Sequence, residues 1–263
     1  MNVKRIISGV VLLAIVAIIL ILGNTTVVNI TMSIVALLAI NEYFNCIGNK
    51  DKVTRIIGDI LAILIAFLDK LPIEILILIF PTTIVLLFIK VIITEMKTNY
   101  ENIAVIGFGM IYIIGFLIFI PLLYATEHGK FLIWYLAIAA WGTDTFAYSI
   151  GIRFGKHKLT PISPKKSVEG SVGGIVGAVI LSLIYTYIIN KTANLEISYL
   201  AISGIAIILS ILGEIGDLAA SSIKRYAGIK DFSQLIPGHG GMLDRIDSIL
   251  LMAPFAYFLL ILI

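Results

Sequence analysis

The chain has 263 residues, 60% of them hydrophobic and 13% charged, with a formal net charge of +3 and a mean hydropathy of +1.08. Soluble domains sit nearer half apolar and a quarter charged, so this composition excludes an ordinary soluble globule and predicts an integral membrane protein. The single cysteine, Cys46, excludes a disulfide framework and any cysteine-rich metal site.

A spanning helix needs about 20 apolar residues. Nine apolar stretches approach or reach that length: 6–23, 27–41, 56–69, 73–93, 103–124, 131–150, 170–190, 198–216 and 248–263, the third and the last being short. The first follows Lys4 and Arg5 and lacks a small-x-small cleavage site before Asn24, so it reads as a retained helix. With nine spans and the N-terminus inside, only Lys70, Lys130 and Lys191 of the 19 Lys and Arg residues fall outside. That is a strong positive-inside bias. Residues 1–130 keep few polar groups inside their apolar stretches and form an N-terminal set of membrane helices with a structural, dimer-forming or lipid-access role. Pro72, Pro81 and Pro121 lie in or beside these spans, where proline kinks a helix, and Gly107, Gly109 and Gly115 predict close helix packing.

Residues 131–263 carry the chemistry. Polar groups gather in segments 141–174 and 213–248, which the seventh and eighth spans separate, so both lie on one side of the membrane. The expected fold is an all-α polytopic bundle of about nine transmembrane helices with a cytoplasm-facing cleft. Asp144 stands near the end of the sixth span, where a carboxylate should face a polar interior. Ser163 followed by Pro164 resembles a helix start. Ser163, Lys165, Lys166 and Ser167, with free amides at such a helix N-terminus, make an anion site.

In the second segment Asp217, Ser221 and Lys224 recur at i, i+4 and i+7 and share one helix face, with Arg225 beside them. Asp244 and Asp247 lie one turn apart. The I-P-G-H-G-G run between is rich in breakers and predicts a turn that brings Asp217 toward Asp244 and Asp247. Converging carboxylates without cysteines favour a hard, oxygen-liking cation such as Mg²⁺, with Asp144 or Asp231 joining and Glu214 as a supporting partner. The alternative is pairing with Lys or Arg that merely neutralises buried charge. His239 reads either as an acid or base, or as a hydrogen-bonding neighbour where the backbone of Gly238, Gly240 and Gly241 approaches a phosphate. His128 and His157 read as surface residues. The run G-I-R-F-G-K-H from Gly151 has three residues between its glycines rather than four, so it is not a P-loop. The chain also lacks any Asp-Gly pair, which argues against a CDP-alcohol phosphotransferase.

The run from Ser221 to Asp247 resembles the phosphatidate cytidylyltransferase (CDP-diacylglycerol synthase) family. The shared pattern is S-x-I-K-R over Ser221 to Arg225, then Lys230-Asp231, Ser233, Ile236-Pro237, His239-Gly240-Gly241-Met242 and Asp244-Arg245-Ile246-Asp247. The S-P-K-K-S-x-E-G segment, which adds Glu169, and the D-x-x-A-Y run from Asp144 to Tyr148 resemble the family as well. The resemblance implies transfer of CMP from CTP to phosphatidate, giving CDP-diacylglycerol and pyrophosphate. It implies Mg²⁺ with a monovalent cation such as K⁺ beside it, a homodimer in the cytoplasmic membrane, phosphatidate arriving from the inner leaflet, and no nucleic-acid partner. On this reading Asp217 and Asp244 hold the metal with Asp144 or Asp247, while Lys224, Arg225, Arg245 and His239 act on the reacting phosphates. Ser163, Lys165, Lys166, Ser167, Glu169, Ser221, Lys230, Gly240 and Gly241 bind substrate. A close rival is a CTP-dependent lipid or polyprenol kinase. A transporter is the rival from another class, against which stand the one-sided charges and the absence of a repeat.

Overall fold

The computed structural model describes residues 3–94, 100–236 and 238–263, and the side chains of residues 3–8 and 73 are not among them. Lys97 and Pro237, and the Lys4 and Arg5 side chains, therefore lie outside the described residues. The described residues form helices joined by loops. Its α-helices are α1 (Val3–Leu22), α2 (Thr25–Cys46), α3 (Lys52–Leu64), α4 (Ile73–Ile93), α5 (Tyr100–Met110), α6 (Phe119–Tyr124), α7 (Gly129–Phe154), α8 (Val168–Thr192), α9 (Tyr199–Tyr226) and α10 (Leu243–Leu260). A 3₁₀ turn (Ile65–Phe67) follows α3, and a π-helical turn (Ile111–Gly115) joins α5 toward α6.

Every expected apolar stretch contains helix, and the fifth is the α5–π–α6 series. Several helices outrun their apolar stretch: α9 continues ten residues past 216, through Asp217 and Arg225, and α10 begins at Leu243 rather than 248. Backbone hydrogen bonding does not stop where the side chains turn polar, so hydropathy marks the apolar part of a helix and not its ends. Among the described residues, five segments are long and apolar enough to cross a membrane: Thr25–Cys46, Glu74–Ile93, Tyr100–Tyr124, Val168–Thr192 and Tyr199–Tyr226. The third expected span is short: the 13 residues of α3 rise about 20 Å, against a hydrocarbon core of about 30 Å.

Two compact units divide the chain. One is Met1–Leu122 with Asp231–Arg245, and the other is Leu123–Lys230 with Ile246–Ile263. The first boundary lies between Leu122 and Leu123, and the loop and helix start at 231–245 group with the N-terminal helices.

In the first unit α2 is the core element, with Val28, Ala36, Ile40, Tyr43 and Phe44 buried. Its start is capped by Asn24, which accepts from the Val27 N–H at 2.9 Å. Tyr43 Oη donates to the Val105 carbonyl at 2.9 Å. Glycines admit the two rings: a Cβ at Gly109 would run into the Tyr43 ring, and one at Gly58 would lie 2.8 Å from Phe44. Lys90 is buried and pairs with Asp51, whose carboxylate also caps α3 by accepting from Thr54 N–H at 2.8 Å.

In the second unit α7, α8 and α9 pack together through small residues. Gly170, Gly173, Gly174, Gly177 and Ala178 form one stripe of α8. Side chains there would strike Ile150, Phe146 and the carbonyls of Thr143 and Ala147, so α7 and α8 touch almost backbone to backbone. Tyr135 and Thr186 share a buried hydroxyl hydrogen bond of 2.7 Å between the same two helices.

Gly109→Ala should lower the thermal unfolding midpoint in detergent, at a cost of about 1–3 kcal/mol for overpacking. Gly204→Ala, where an added Cβ meets open space, should raise it, through a gain of about 0.5–1 kcal/mol in helix propensity.

Candidate functional site

The α7–α8 glycine contact brings Asp144 and Tyr148 on α7 beside the start of α8. A cavity of about 480 Å³ opens there, lined by Thr143, Asp144, Tyr148, Lys165, Lys166, Ser171 and Glu214 among others. The Lys165–Lys166 loop closes on itself. Ser163 accepts from the Lys166 N–H at 3.0 Å in a turn with Pro164 second, the Leu159 N–H donates to the Lys166 carbonyl at 2.9 Å, and the Val168 N–H to the His157 carbonyl at 2.9 Å.

The helix starts at Val168 with Ser167 as its cap, so the expected start at Ser163 is four residues too early. Pro164 serves a turn rather than a first helical turn. Two of the first three amides of α8 are already used, Val168 N–H on His157 and Gly170 N–H on Ser167 Oγ at 3.1 Å. The expected anion site at the helix N-terminus therefore reduces to side chains, Lys165 and Lys166. Glu169 accepts from the Lys156 and His157 amides at 3.1 and 3.3 Å and pairs with His157 Nδ1 at 2.6 Å, which ties the loop to α8. His157 is thus exposed, as expected of a surface residue, yet held.

The two polar segments meet inside this unit. Lys166 Nζ lies 2.6 Å from Asp217 Oδ2, with both side chains about three-tenths exposed (27% and 31%). Ser171 donates to Glu214 Oε2. The other oxygen, Glu214 Oε1, and Thr143 Oγ1 are buried without a hydrogen-bond partner among the described residues. A Cβ on Gly216 would sit 2.6 Å from the Asp247 carbonyl, so α9 and α10 touch beside Asp217 and Asp247. Asp247 is buried and accepts from Ser248 N–H at 2.9 Å.

Farther along α9, Ser221 is half-buried, Lys224 is buried, and Arg225 is exposed, donating to the Ile229 carbonyl at 3.0 Å. The helix ends in a Schellman turn: Ile229 N–H donates to Lys224, Gly228 N–H to Arg225, and Gly228 takes φ +71. Lys230 beyond it is exposed.

The rest of the signature run lies in the first unit, where it is tied by two carboxylates. Asp244 is buried at the start of α10, and its Oδ2 accepts from Phe232 N–H and Gly241 N–H, both at 2.9 Å. Glu42 of α2 is also buried, at 6% exposure. Its Oε1 accepts from Ser233 Oγ at 2.6 Å and Met242 N–H at 2.9 Å, and its Oε2 from Leu243 N–H at 2.8 Å. Gly238 and Gly240 have φ +77 and +84 and make the turn, with the Ile236 N–H donating to the Gly240 carbonyl at 2.8 Å.

At Gly241 the group that needs closeness is Glu42: a Cβ there would lie 2.5 Å from Oε2. His239 packs against α1, its ring 3.4 Å from a Cβ placed at Gly9. Arg245 keeps a buried Nε without a hydrogen-bond partner among the described residues, and Asp231 is exposed. Sequence reasoning passed over Glu42. Its signal was present: Asn41, Glu42 and Asn45 interrupt the apolar run at the end of α2.

Asp217 belongs to the second unit and Asp244 to the first, so neither unit contains the expected Asp217–Asp244 pair by itself. Among the described residues no three His, Cys, Asp or Glu side chains converge as a ready metal cage. Mg²⁺ does not require one, since it is commonly held by one or two carboxylates with waters and substrate phosphates. Asp217 and Glu214, one turn apart on α9, are oxygen donors of the kind Mg²⁺ takes, and a metal there would displace Lys166 Nζ from Asp217.

A family model described as the cytidylyltransferase family matches residues 3–263. Among curated proteins, the phosphatidate cytidylyltransferase of Bacillus subtilis is 39% identical over 67% of this chain and 65% of its own length. Its namesakes are 39% identical over 61% of the chain and 57% of their own length in Staphylococcus haemolyticus, and 36% over 60% and 59% in Thermotoga maritima. The chain thus spans somewhat under two thirds of the length of the curated relatives it matches.

A double-mutant cycle of Lys166→Ala and Asp217→Asn, read by thermal unfolding, should give a coupling of about 0.5–1 kcal/mol, the size for a partly exposed ion pair.

Proposed function

The chain belongs to the cytidylyltransferase family, and on that premise we propose that it transfers CMP from CTP to phosphatidate, giving CDP-diacylglycerol and pyrophosphate. The name shared by the relatives supplies the substrates. The observation on this chain that carries the reading is the cavity of the second unit, where Lys165 and Lys166 face Asp144 and Glu214. Cations beside carboxylates suit a polyphosphate that arrives with a divalent ion.

A phosphate oxygen of phosphatidate forms a bond to the α-phosphorus of CTP. The bond to the bridging oxygen breaks on the opposite side, and pyrophosphate leaves with that electron pair. The lipid phosphate is already ionised at neutral pH, so no strong base is required. What the site must supply is alignment and relief of repulsion between two anions. Lys165 and Lys166 would grip the nucleotide phosphates, and binding there would draw Lys166 away from Asp217. Lys224 and Arg225 are assigned to the phosphates as well. A Mg²⁺ ion held by Asp217 and Asp247, with Asp144 or Glu214 near, would neutralise phosphate charge, and Asp244 keeps the metal-ligand role that the signature resemblance implies.

The sided distribution of Lys and Arg supports a site on the cytoplasmic face, with phosphatidate entering from the inner leaflet. A homodimer in the cytoplasmic membrane, with K⁺ beside the Mg²⁺, belongs to the same reading.

Detergent-solubilised protein given Mg²⁺, phosphatidate and CTP should move label from the α-phosphate into lipid and release γ-label as pyrophosphate. Asp217→Ala should lower that transfer by at least about a hundredfold, the scale for losing a positioned charge at a reacting centre. Label passing from the γ-phosphate into lipid would instead identify a kinase.

A further inference from the structure

Glu42 has no part in the reaction as assigned above, yet it is built into the signature run more tightly than most residues of that run. A carboxylate buried on an apolar helix is costly unless its oxygens are fully hydrogen-bonded. Three donors from residues 233–243 meet that need, and all come from residues about 200 positions away in sequence.

Two features separate this arrangement from a simple strut. First, Gly241, Met242 and Leu243 present three successive amides, and the first is taken by Asp244 while the next two are taken by Glu42. The orientation of Asp244 and the reach of Glu42 are thus set by the same three peptide units. Second, both Glu42 oxygens accept at once, and Gly241 leaves no room for a side chain beside them. A glutamine could offer only one acceptor oxygen, and its amide would confront an N–H donor. The local shape is specific for an ionised carboxylate.

We propose that Glu42 is a positioning residue for the transfer reaction, holding the Gly241–Asp244 segment so that Asp244 keeps the orientation the reaction needs. The inference rests on the cytidylyltransferase reading. It extends that reading to a helix of the first forty-six residues, a region to which only packing, dimer or lipid-access roles had been assigned.

The test compares wild-type protein with Glu42→Gln, Glu42→Asp and Ser233→Ala in lipid nanodiscs. Hydrogen exchange at residues 241–243 is followed alongside steady-state kinetics with CTP and phosphatidate. In Glu42→Gln the Met242 and Leu243 amides should exchange at least about tenfold faster, the scale of one charge-assisted hydrogen bond. Its kcat should fall by a similar factor while the KM for CTP stays within about threefold, because Lys165 and Lys166 are untouched. Glu42→Asp keeps the charge but is one methylene short, and should behave like Glu42→Gln. Ser233→Ala removes one neutral donor and should lower kcat by about threefold without changing exchange at Leu243.

Unchanged exchange in Glu42→Gln, or faster exchange with kcat intact, would overturn the proposal. Should Glu42→Gln fail to fold, Ser233→Ala decides: a wild-type kcat there overturns the proposal, and the threefold loss supports it. Absence of transfer by the wild-type protein would overturn the cytidylyltransferase reading and, with it, any positioning for that reaction. Faster exchange in Glu42→Gln would then still identify Glu42 as the residue that orders the loop.

Discussion

A carboxylate or ammonium group moved from water into apolar surroundings loses several kcal/mol of solvation unless donors or a counter-ion replace its water. In a chain this apolar that constraint governs where charge can stand. Glu42 and Asp244 are answered by backbone amides, Lys90 by Asp51, and Asp217 by Lys166. Each answer fixes a piece of loop or a helix end. The polar run after α9 owes its shape to two carboxylates, and the 156–167 loop owes its closure partly to Glu169.

Glycine supplies the complementary half of the design. On α8 a stripe of glycines removes the side chains that would hold α7 away, and so sets Asp144 next to Lys165 and Lys166. Gly216 does the same for α9 and α10 beside Asp217 and Asp247. In lipid, where hydrophobic burial gives little drive for helix association, such close approach gains dispersion contacts instead. The same contacts that hold the helices together therefore determine which polar groups meet.

The cavity of the second unit and the loop of the first differ in how their polar groups are used. In the cavity, lined by Lys165, Lys166, Asp144 and Glu214, the Glu214 Oε1 and Thr143 Oγ1 atoms have no hydrogen-bond partner among the described residues. The loop's donors are taken by two carboxylates, Phe232 and Gly241 by Asp244 and Ser233, Met242 and Leu243 by Glu42 of α2. Asp244 thus carries a structural duty, accepting from the Phe232 and Gly241 amides. Asp244 and Asp247 are both buried near the N-terminus of α10, where the helix dipole favours negative charge.

Composition and periodicity alone determine that this chain is a set of apolar helices, and the nine stretches are all found as helix. The Asp217–Ser221–Lys224 face and the breaker-rich turn before Asp244 follow equally from spacing, because i, i+4 and φ > 0 are local properties. The extension of α9 through Arg225 was not legible from hydropathy, which measures side chains and not hydrogen bonds. Nor was the start of α8 at Val168, because Ser163-Pro164 and Ser167 are both plausible local signals and only the closed loop selects one. Glu42 stands out in sequence as a charge near the end of an apolar helix, but its role needed the tertiary structure. Its role depends on donors nearly 200 residues away, and nothing in the identity of a glutamate on an apolar helix says which amides it will meet.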